Sequence, residues 1–277
     1  TVTTDERTRR AMPVITISRG SFSGGKMLGE CLADKLGYRC IDRDVIVERA
    51  AAYGVPQEEL RDALSKPPSF WDRFRHKKYV YLTLIQAALT EEVRAGQAVY
   101  HGNAGHLLLR GVSHVVRTRI IAPMPFRVSA MQDRLKIREP DALAHIQEMD
   151  QDRQKWTQYL YGVDWGDPSL YDLVLSLESI DIQGACAIIG RTATERCFAE
   201  TAESQAAMDD LTLASRVRAN LAVATGTSNL EVAVSARGGS VTIAGKLSAT
   251  DQLADLQTIV RNTPGVVDLI VNVSTER

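Results

Sequence analysis

Gly20-Ser-Phe-Ser-Gly-Gly-Lys-Met27 lies between a short apolar run at residues 14–17 and a stretch with helical character at residues 28–36. This order of strand, glycine-rich turn and helix is the context that a phosphate-binding loop requires. Small residues let successive backbone N–H groups converge, the helix N-terminus adds positive potential, and Lys26 adds a point charge. We therefore predict a phosphate-binding loop made of Gly20, Ser21, Phe22, Ser23, Gly24, Gly25, Lys26 and Met27.

The loop departs from the usual pattern at its last position. In G-x-x-x-x-G-K-[ST] the final hydroxyl usually contacts Mg²⁺, and here Met27 takes its place. The substitution puts the metal contact in doubt and leaves the phosphate contact intact. The alternative is a tight glycine turn without a ligand.

The composition is that of an ordinary soluble globular protein, because 44% of the 277 residues are apolar and 24% are charged. A net charge of −1 argues against broad electrostatic binding to nucleic acid or to an anionic membrane. No apolar run is long enough to span a bilayer, and the first ten residues lack an apolar signal-peptide core. We expect a cytoplasmic protein.

The cysteines contain no C-x-x-C pair and do not resemble a disulfide framework in a chain of this length. They are Cys31, Cys40, Cys186 and Cys197. Reduced thiols are expected, which fits a cytoplasm. The sequence predicts no metal site built from protein ligands alone.

Up to about residue 200, short β-branched runs alternate with longer helical stretches. Strands are predicted at 14–17, 98–100, 115–121 and 173–175, and helices at 28–36, 44–52, 79–95, 124–138 and 141–160. Strands separated by helices indicate an α/β fold with a parallel sheet flanked by helices. Ligands on such sheets lie at the carboxyl ends of the strands, where the loop would fall.

Residues 54–78 interrupt this pattern with Gly54-Val-Pro56, Pro67-Pro68 and a cluster of aromatic and basic residues. One interpretation is an excursion from the sheet that forms a substrate-side subdomain. The other is a helix that packs Phe70, Trp71 and Phe74 on the core and exposes a basic face.

The last 70 residues follow the order α-β-β-α-β. Helices are predicted at 208–223 and 249–262, and strands at 230–235, 240–244 and 266–273. A segment of this length can form a small independent domain. The predicted division is a disordered tail at 1–12, a phosphate-loop domain at 13–200, and a second domain at 201–277 that begins with a short linker.

Acidic and basic side chains follow the predicted strand near residue 40. Asp42 could accept a proton from an acceptor or hold Mg²⁺ through water, and Arg43 could bind an acceptor phosphate, with Asp44 beside them. The alternative is that Asp42 or Asp44 only caps the next helix. Gly102 and Asn103, in the turn after the next strand, are candidates for an acceptor pocket or a plain connection.

Several cations are clustered between residues 127 and 155. Arg127, Arg134 and Arg138 have spacings of seven and four, which place them on one side of a helix, and Arg153 follows. Arginines on a mobile helix pair suit phosphoryl transfer, because negative charge develops on the transferred group. The alternative is a solvated face paired with acidic neighbours, although such pairs contribute only about 0–1 kcal/mol each.

Residues 13 to about 197 resemble the cytidylate kinase-like family of P-loop nucleoside monophosphate kinases. The resemblance rests on Ile15-Thr-Ile-Ser-Arg19 before Gly24-Gly25, on Tyr38 through Asp42-Arg43-Asp44, and on Trp165-Gly-Asp-Pro-Ser-Leu-Tyr-Asp172. It implies a P-loop kinase fold and Mg²⁺-dependent transfer of the ATP γ-phosphate to a nucleotide such as CMP or dCMP. Carried over by position, Lys26, Asp42, Arg134, Arg138 and Arg153 become the catalytic candidates.

Two departures from the family pattern leave other functions open. Met27 and Leu28 follow Lys26 where a glycine and a threonine are usual, and Gly102-Asn103 stands where a glycine and an arginine are expected. One alternative is a nucleotide-binding regulatory protein with weak or lost kinase activity. The other is a kinase for a non-nucleotide acceptor.

The last 70 residues resemble a BON domain. The likeness rests on Gly239-Ser-Val-Thr-Ile-Ala-Gly245 and Thr263-Pro-Gly-Val-Val-Asp-Leu-Ile-Val-Asn-Val273. It implies a module of bacterial proteins that binds a phospholipid or another ligand, or that serves regulation or assembly, so a homo-oligomer stays open. The segment has no basic amphipathic stripe, so no strong membrane binding is expected.

Overall fold

The computed structural model describes residues 13–65, 75–102, 104–228, 230, 232–247 and 251–275. These residues form two compact units. The first unit holds residues 13–43 and 96–200, and the second holds 44–65, 75–95 and the described residues from 201 to 275. The predicted domain boundary at residue 200 stays a prediction, because each compact unit combines segments from different parts of the chain.

The first unit is built on a five-stranded parallel sheet, as predicted for an α/β fold. Its strands are β1 (Val14–Arg19), β2 (Arg39–Ile41), β3 (Ala98–Tyr100), β4 (Val115–Ile121) and β5 (Leu173–Ser176). The spatial order is β2-β3-β1-β4-β5. Strand β1 is central, and Val14 pairs with both Ala98 and Val115. The strands lie on both sides of β1, with β3 and β2 on one side and β4 and β5 on the other. In open α/β sheets, ligands bind at the carboxyl end of the strand where the order reverses.

Within the described residues the α-helices, numbered in order, are α1 (Gly25–Leu36), α2 (Arg43–Ala51), α3 (Gln57–Ser65), α4 (Arg75–Val93), α5 (Gly105–Leu108), α6 (Met124–Leu135), α7 (Glu139–Tyr161), α8 (Ile182–Ala193), α9 (Ala202–Val223) and α10 (Asp251–Arg261). The helices that were predicted between residues 28 and 160 are confirmed, although their first and last residues differ from the predicted ones. Helix α8 was not predicted, and Asp181 caps it by accepting the Gly184 N–H at 2.7 Å.

The helix predicted at 124–138 is wrong at its end. Helix α6 stops at Leu135 because Lys136 adopts a left-handed conformation (φ 57°) and donates its N–H to the Gln132 carbonyl at 2.8 Å. Helix α7 then begins at Glu139, with Pro140 in its first turn. Arg138 therefore lies between two helices and not on the face that Arg127 and Arg134 share.

The interruption predicted at 54–78 contains a helix that the pattern did not predict. Helix α3 occupies Gln57–Ser65, after a turn in which Gly54 has a φ of 88°. Phe70, Trp71 and Phe74 lie outside the described residues, so both interpretations of this segment stay predictions.

The core of the first unit lies between the sheet and helices α1 and α8. Its fully buried members include Ile15, Leu28, Leu32, Val116, Ile120 and Ile189. Burying apolar side chains of this size stabilises a fold by about 1.5–3 kcal/mol each. This core holds α1, and so the end of the phosphate loop, against β1.

The second unit contains the predicted α-β-β-α-β order as α9, β6 (Val232–Arg237), β7 (Ser240–Leu247), α10 and β8 (Asp268–Thr275). Strand β7 pairs antiparallel with β6 and parallel with β8. The segment expected to be a linker begins α9, where Thr201 and Ser204 form a capping box. The structure does not test the BON resemblance.

Helix α4 belongs to the second unit, where it packs against α9. Arg94 pairs with Asp209 at 2.7 Å, and Arg216 pairs with Glu91. This association could not be predicted from local patterns, since more than 100 residues separate the partners. In the part of the chain that the structure describes, no helix is both long and apolar enough to cross a membrane.

His106, on the short helix α5, is a buried titratable group beside the sheet. Its ring lies 4.6 Å from the Tyr171 ring, centroid to centroid, and within the described structure neither of its nitrogens has a hydrogen-bond partner. Burial, with a smaller contribution from Arg119 and Arg117, lowers the pKa of His106 to about 4. The imidazole is therefore neutral in the folded protein at pH 5 to 7.

We expect Leu32→Ala to lower the free energy of unfolding by about 2–5 kcal/mol, because it leaves a cavity between α1 and α8. Urea denaturation followed by circular dichroism measures the loss. Leu135→Ala removes the same atoms from a side chain that is 48% exposed, and it should change stability by about 0.5 kcal/mol or less. Equal losses in the two variants would contradict this account of the core.

Replacement of His106 by Phe should reduce the acid sensitivity of the fold. The folded pKa of His106 is lowered, so its stabilising contribution is complete above about pH 6.5 and is lost as the pH falls toward 4. Between pH 7 and pH 5, His106→Phe should lose less unfolding free energy than the wild type, by on the order of 2 kcal/mol. Urea denaturation at both pH values tests this, with the exposed His145→Gln as control. Equal pH dependence in His106→Phe and the wild type would refute it.

Candidate functional site

The predicted phosphate loop connects the end of β1 to the start of α1. Gly24 precedes the helix with a φ of 80°, a left-handed conformation that favours glycine. Within the turn, the Ser23 hydroxyl donates to the Gly20 carbonyl at 2.8 Å. No side chain caps the start of α1, so the first-turn N–H groups of Gly25, Lys26 and Met27 lack an intrahelical acceptor. Such a helix start is suited to bind an anion.

Arg127 braces the loop from helix α6. Its Nε donates to the Ser21 carbonyl at 2.8 Å, and its Nη2 lies 2.7 Å from Asp150 Oδ2 on α7. Asp150 Oδ1 also lies 3.5 Å from the Ser21 N–H nitrogen. Since Arg127 is only 8% exposed and is held by the Ser21 carbonyl and by the Asp150 carboxylate, it acts as a structural support and not as a mobile cation.

Arg153, on α7, contacts the end of β1. Its Nη1 donates to the Arg19 carbonyl at 2.8 Å, and its guanidinium lies 5.1 Å from the Trp165 ring centroid. Burial is the main cause that lowers the pKa of Arg153 to about 10, so the group is still cationic at neutral pH. The structure therefore brings this predicted site residue next to the loop.

Trp165, which Arg153 contacts, is held in place by Tyr171 and Arg119. The Tyr171 hydroxyl donates to the Trp165 carbonyl at 2.8 Å and lies 3.3 Å from Ser18 Oγ. Arg119 covers the Trp165 ring at 4.3 Å. Tyr171 thus anchors its loop to Ser18 on β1. The next residue, Asp172, is a salt-bridge partner of Arg117 at 2.7 Å.

The two remaining arginines among the catalytic candidates, Arg134 and Arg138, differ in position. The Arg134 guanidinium lies 6.0 Å from the ring centroid of Phe22, which belongs to the loop. Arg138 is 82% exposed and pairs with Asp141 on the first turn of α7. The structure thus places Arg134 and Arg153 at the loop. Catalytic roles for Arg134, Arg138 and Arg153 stay predictions.

Lys26 is directed along the helix in this conformation. Its Nζ lies 3.7 Å from Glu30 Oε1, one turn later on α1, and the side chain is 69% exposed. The neighbouring Met27 is 54% exposed. Binding of phosphate by Lys26 stays a prediction that requires this exposed side chain to change its rotamer.

Arg19 lies at the candidate site, but the sequence did not single it out beyond its place in the motif Ile15-Thr-Ile-Ser-Arg19. It is the last residue of the central strand, and its side chain lies across the start of α1. Burial, followed by the charges of Arg43 and Arg134, lowers the pKa of its guanidinium. The sequence feature that could have identified Arg19 is its position directly before the phosphate loop.

The predicted acceptor residues lie at the carboxyl ends of β2 and β3, which are neighbours in the sheet. Asp42 follows β2 and interacts electrostatically with His101, which follows β3. Burial and the charge of Arg19 lower the pKa of His101, and Asp42 opposes this effect. Arg43 begins α2 and contributes positive charge near Arg19. These residues share one edge of the sheet with the phosphate loop.

The contacts of the other acceptor candidates, Asp44, Gly102 and Asn103, do not point to a ligand. Asp44 lies 3.3 Å from Arg61 on α3, where it forms an exposed ion pair. Gly102 is explained by packing, because a Cβ at this position would lie 2.1 Å from the Tyr100 hydroxyl. Asn103 lies outside the described residues.

Comparison with known proteins agrees with this geometry. Residues 14–179 match the model of the Cytidylate kinase-like family. A cytidylate kinase of Pyrococcus horikoshii is 24% identical over 177 residues, which cover 64% of this chain and 85% of that protein.

Among solved structures, an uncharacterized protein from Eubacterium ventriosum is 17% identical, with a TM-score of 0.52 over 67% of this chain and 99% of its own. A shikimate kinase from Bacteroides thetaiotaomicron is 14% identical, with a TM-score of 0.43 over 66% of this chain and 98% of its own. The first of these two likenesses shows the fold.

The family match spans more than half of the chain and includes the phosphate loop, the five parallel strands and helices α6 and α7. From this match we conclude that the chain belongs to the cytidylate kinase-like family.

Proposed function

We propose that this protein transfers the γ-phosphoryl group of ATP to a nucleoside monophosphate, with CMP or dCMP as the preferred acceptor. The observation that carries the proposal is the cluster of Arg19, Arg134 and Arg153 around an uncapped phosphate loop at the end of the central strand. A cationic cluster beside free helix amides is suited to polyphosphate and not to a neutral ligand. Membership of a kinase-like family supports the same conclusion.

On the donor side, the residues present fit the phosphates of ATP. The first-turn amides of α1 have no side-chain acceptor, and Lys26 is exposed and able to turn toward the loop. Bound Mg²⁺ would neutralise charge on the phosphate oxygens. Among the described residues, no group of three or more His, Cys, Asp and Glu side chains could hold a metal. We therefore assign the ion to phosphate oxygens and water, with Asp42 as its protein contact.

On the acceptor side, we assign Asp42 and Arg43, with Gly102 and Asn103 at the pocket wall. An acceptor phosphate oxygen attacks the γ-phosphorus as the bond to the bridging oxygen breaks, and ADP leaves. Negative charge spreads over the oxygens in flight, where Lys26, Arg134, Arg138 and Arg153 would stabilise it. Most of the rate enhancement would come from positioning and electrostatics.

A nucleotide-binding regulator with weak or lost kinase activity is the second candidate. Met27 lacks the usual hydroxyl, and Lys26 is paired with Glu30 away from the loop. This candidate predicts ATP binding in calorimetry without acceptor-dependent release of ADP.

We further propose that residues 13–200 form the catalytic domain of a cytoplasmic protein. Residues 201–277 would then be a BON-like module for regulation, assembly or binding of a lipid or another ligand. The support is the α-β-β-α-β order of α9 to β8 together with the sequence resemblance.

ADP formation from Mg-ATP with CMP, dCMP, UMP and AMP tests the main proposal. We expect turnover that depends on a pyrimidine monophosphate, and Lys26→Ala should lower kcat/KM by roughly 10²–10³-fold because it removes one phosphate contact. Lys35→Ala, in the last turn of the same helix, is the matched control and should keep wild-type turnover.

The possible results separate the candidates. Full activity in Lys26→Ala would exclude the assigned role of Lys26. Absence of turnover with all four acceptors, together with retained ATP binding, would favour the regulator. Turnover with a non-nucleotide alcohol alone would favour the third alternative, a kinase with another acceptor class.

A further inference from the structure

Two cysteines lie in the interface between helices α1 and α8, whose alignment is fixed by contacts at two points. At the first point, the Cys31 thiol donates to Gln183 Oε1 at 3.5 Å. At the second point, a Cβ at Gly190 would lie 3.8 Å from Leu36 Cδ2 and 3.9 Å from Leu32 Cδ2. Residue 31 of α1 is therefore opposite residue 183 of α8, and residues 32 and 36 are opposite residue 190.

Cys186 lies between these two points on the same face of α8. It follows Gln183 by three residues and precedes Gly190 by four, and such spacings return to one side of a helix. Cys186 is fully buried in the core of the first unit, and Cys31 packs against that core. The alignment of the helices thus brings the two thiols to facing positions, although they are far apart in sequence.

The two thiols differ in their access to solvent. Cys31 is partly exposed, whereas Cys186 is fully buried. Burial, followed by interaction with Cys31, raises the pKa of the Cys186 thiol. Because the thiolate is the reactive form of cysteine, Cys186 is protected from direct attack, while Cys31 can meet a reagent from solvent. An accessible thiol beside a second thiol that can resolve its oxidised form is typical of redox-sensing cysteines.

We propose that Cys31 and Cys186 form a redox modification site, at which hydrogen peroxide converts the two free thiols to a disulfide between α1 and α8. In the first step the Cys31 thiolate attacks a peroxide oxygen and the O–O bond breaks. Cys31 sulfenic acid forms, and the departing hydroxide takes the proton that Cys31 lost. In the second step the Cys186 sulfur attacks the Cys31 sulfur, the S–O bond breaks, and the Cys186 proton leaves with the hydroxide as water. The two thiols lose two electrons, and the peroxide is reduced to two water molecules.

The disulfide would join the two helices that flank the phosphate loop. Helix α1 begins at the loop, and α8 begins beside it, since a Cβ at Gly24 would lie 3.1 Å from Ile182 Cδ1. Oxidation would thus restrain the relative motion of α1 and α8 next to the candidate site. This modification does not depend on the phosphoryl acceptor or on kinase activity.

The alternative is that Cys186 only fills space in the core as a small apolar side chain, while Cys31 only donates to Gln183. Peroxide would then oxidise Cys31 to its sulfinic or sulfonic acid without a cross-link. The exposed Cys40 and Cys197 could also link one chain to another. A two-cysteine variant, with Cys40→Ala and Cys197→Ala in the full chain, excludes such links and retains the proposed pair.

Peptide mapping of the two-cysteine variant after peroxide treatment tests the site. Trypsin places Cys31 in the peptide of residues 27–35 and Cys186 in the peptide of residues 156–191. After free thiols are blocked with N-ethylmaleimide, we expect these two peptides to be linked within one chain and to separate in dithiothreitol. The oxidised variant should unfold at a temperature roughly 5–10 °C above that of the reduced variant, because the cross-link restricts the unfolded chain.

Two further substitutions, each made in the two-cysteine variant, assign the roles of the thiols. Cys186→Ala leaves Cys31 without its partner, so the sulfenic acid should persist and be captured by dimedone on residues 27–35. Cys31→Ala removes the accessible thiol, so Cys186 should stay reduced at the same peroxide concentration. Since Cys31→Ala changes a partly exposed position, it keeps the test valid even where Cys186→Ala fails to fold.

Absence of the linked peptides, with Cys31 oxidised beyond the sulfenic acid, would overturn the proposal. A cross-link that forms only between two chains would overturn it as well. So would an oxidised variant that unfolds at a lower temperature than the reduced one, because the fold would then not hold the sulfur atoms in bonding positions. Formation of the link within one chain, in a protein without any kinase turnover, would support the redox site and reject the proposed function.

Discussion

A buried arginine joins the phosphate loop to helices that follow it by more than 100 residues. Arg127 bonds the Ser21 carbonyl and pairs with Asp150, so α6 and α7 are both tied to the turn between β1 and α1. A buried ion pair stabilises little by itself, but loss of one partner leaves an uncompensated charge. The positions of α6 and α7 and the shape of the loop are therefore interdependent.

Positive charge around the loop exceeds the negative charge that the described residues supply there. Asp150 is the carboxylate that balances Arg127 and lies 3.6 Å from Arg153, whereas Arg19 and Arg134 are close enough to repel one another. The folded protein tolerates this repulsion because the parallel sheet, Trp165 and the backbone carbonyls hold the arginines in place. Such preorganised charge is useful where negative charge develops on a ligand, since no reorganisation is then needed.

The second unit is stabilised in a different way. Its mixed sheet packs on α9 and α10, and its core includes Val217, Val241 and Leu256. Helix α4, from the middle of the chain, packs against α9. Glu91 on α4 and Arg94 directly after it form ion pairs with Arg216 and Asp209 on α9. A compact unit can thus combine segments that are distant in sequence, because burial depends on spatial contact and not on chain order.

The sequence by itself determined the strands, most helices, the glycine-rich turn after β1 and the family, because strand alternation, helical periodicity and glycine turns are local properties. Tertiary structure alone decided which cations face the loop. Arg127 became a support, and Arg138 was separated from it when Lys136 ended α6 in a left-handed conformation. Arg19 acquired its importance only through its approach to Gly25 and its distant arginine neighbours. These outcomes depend on packing and electrostatics between remote segments, which no local pattern encodes.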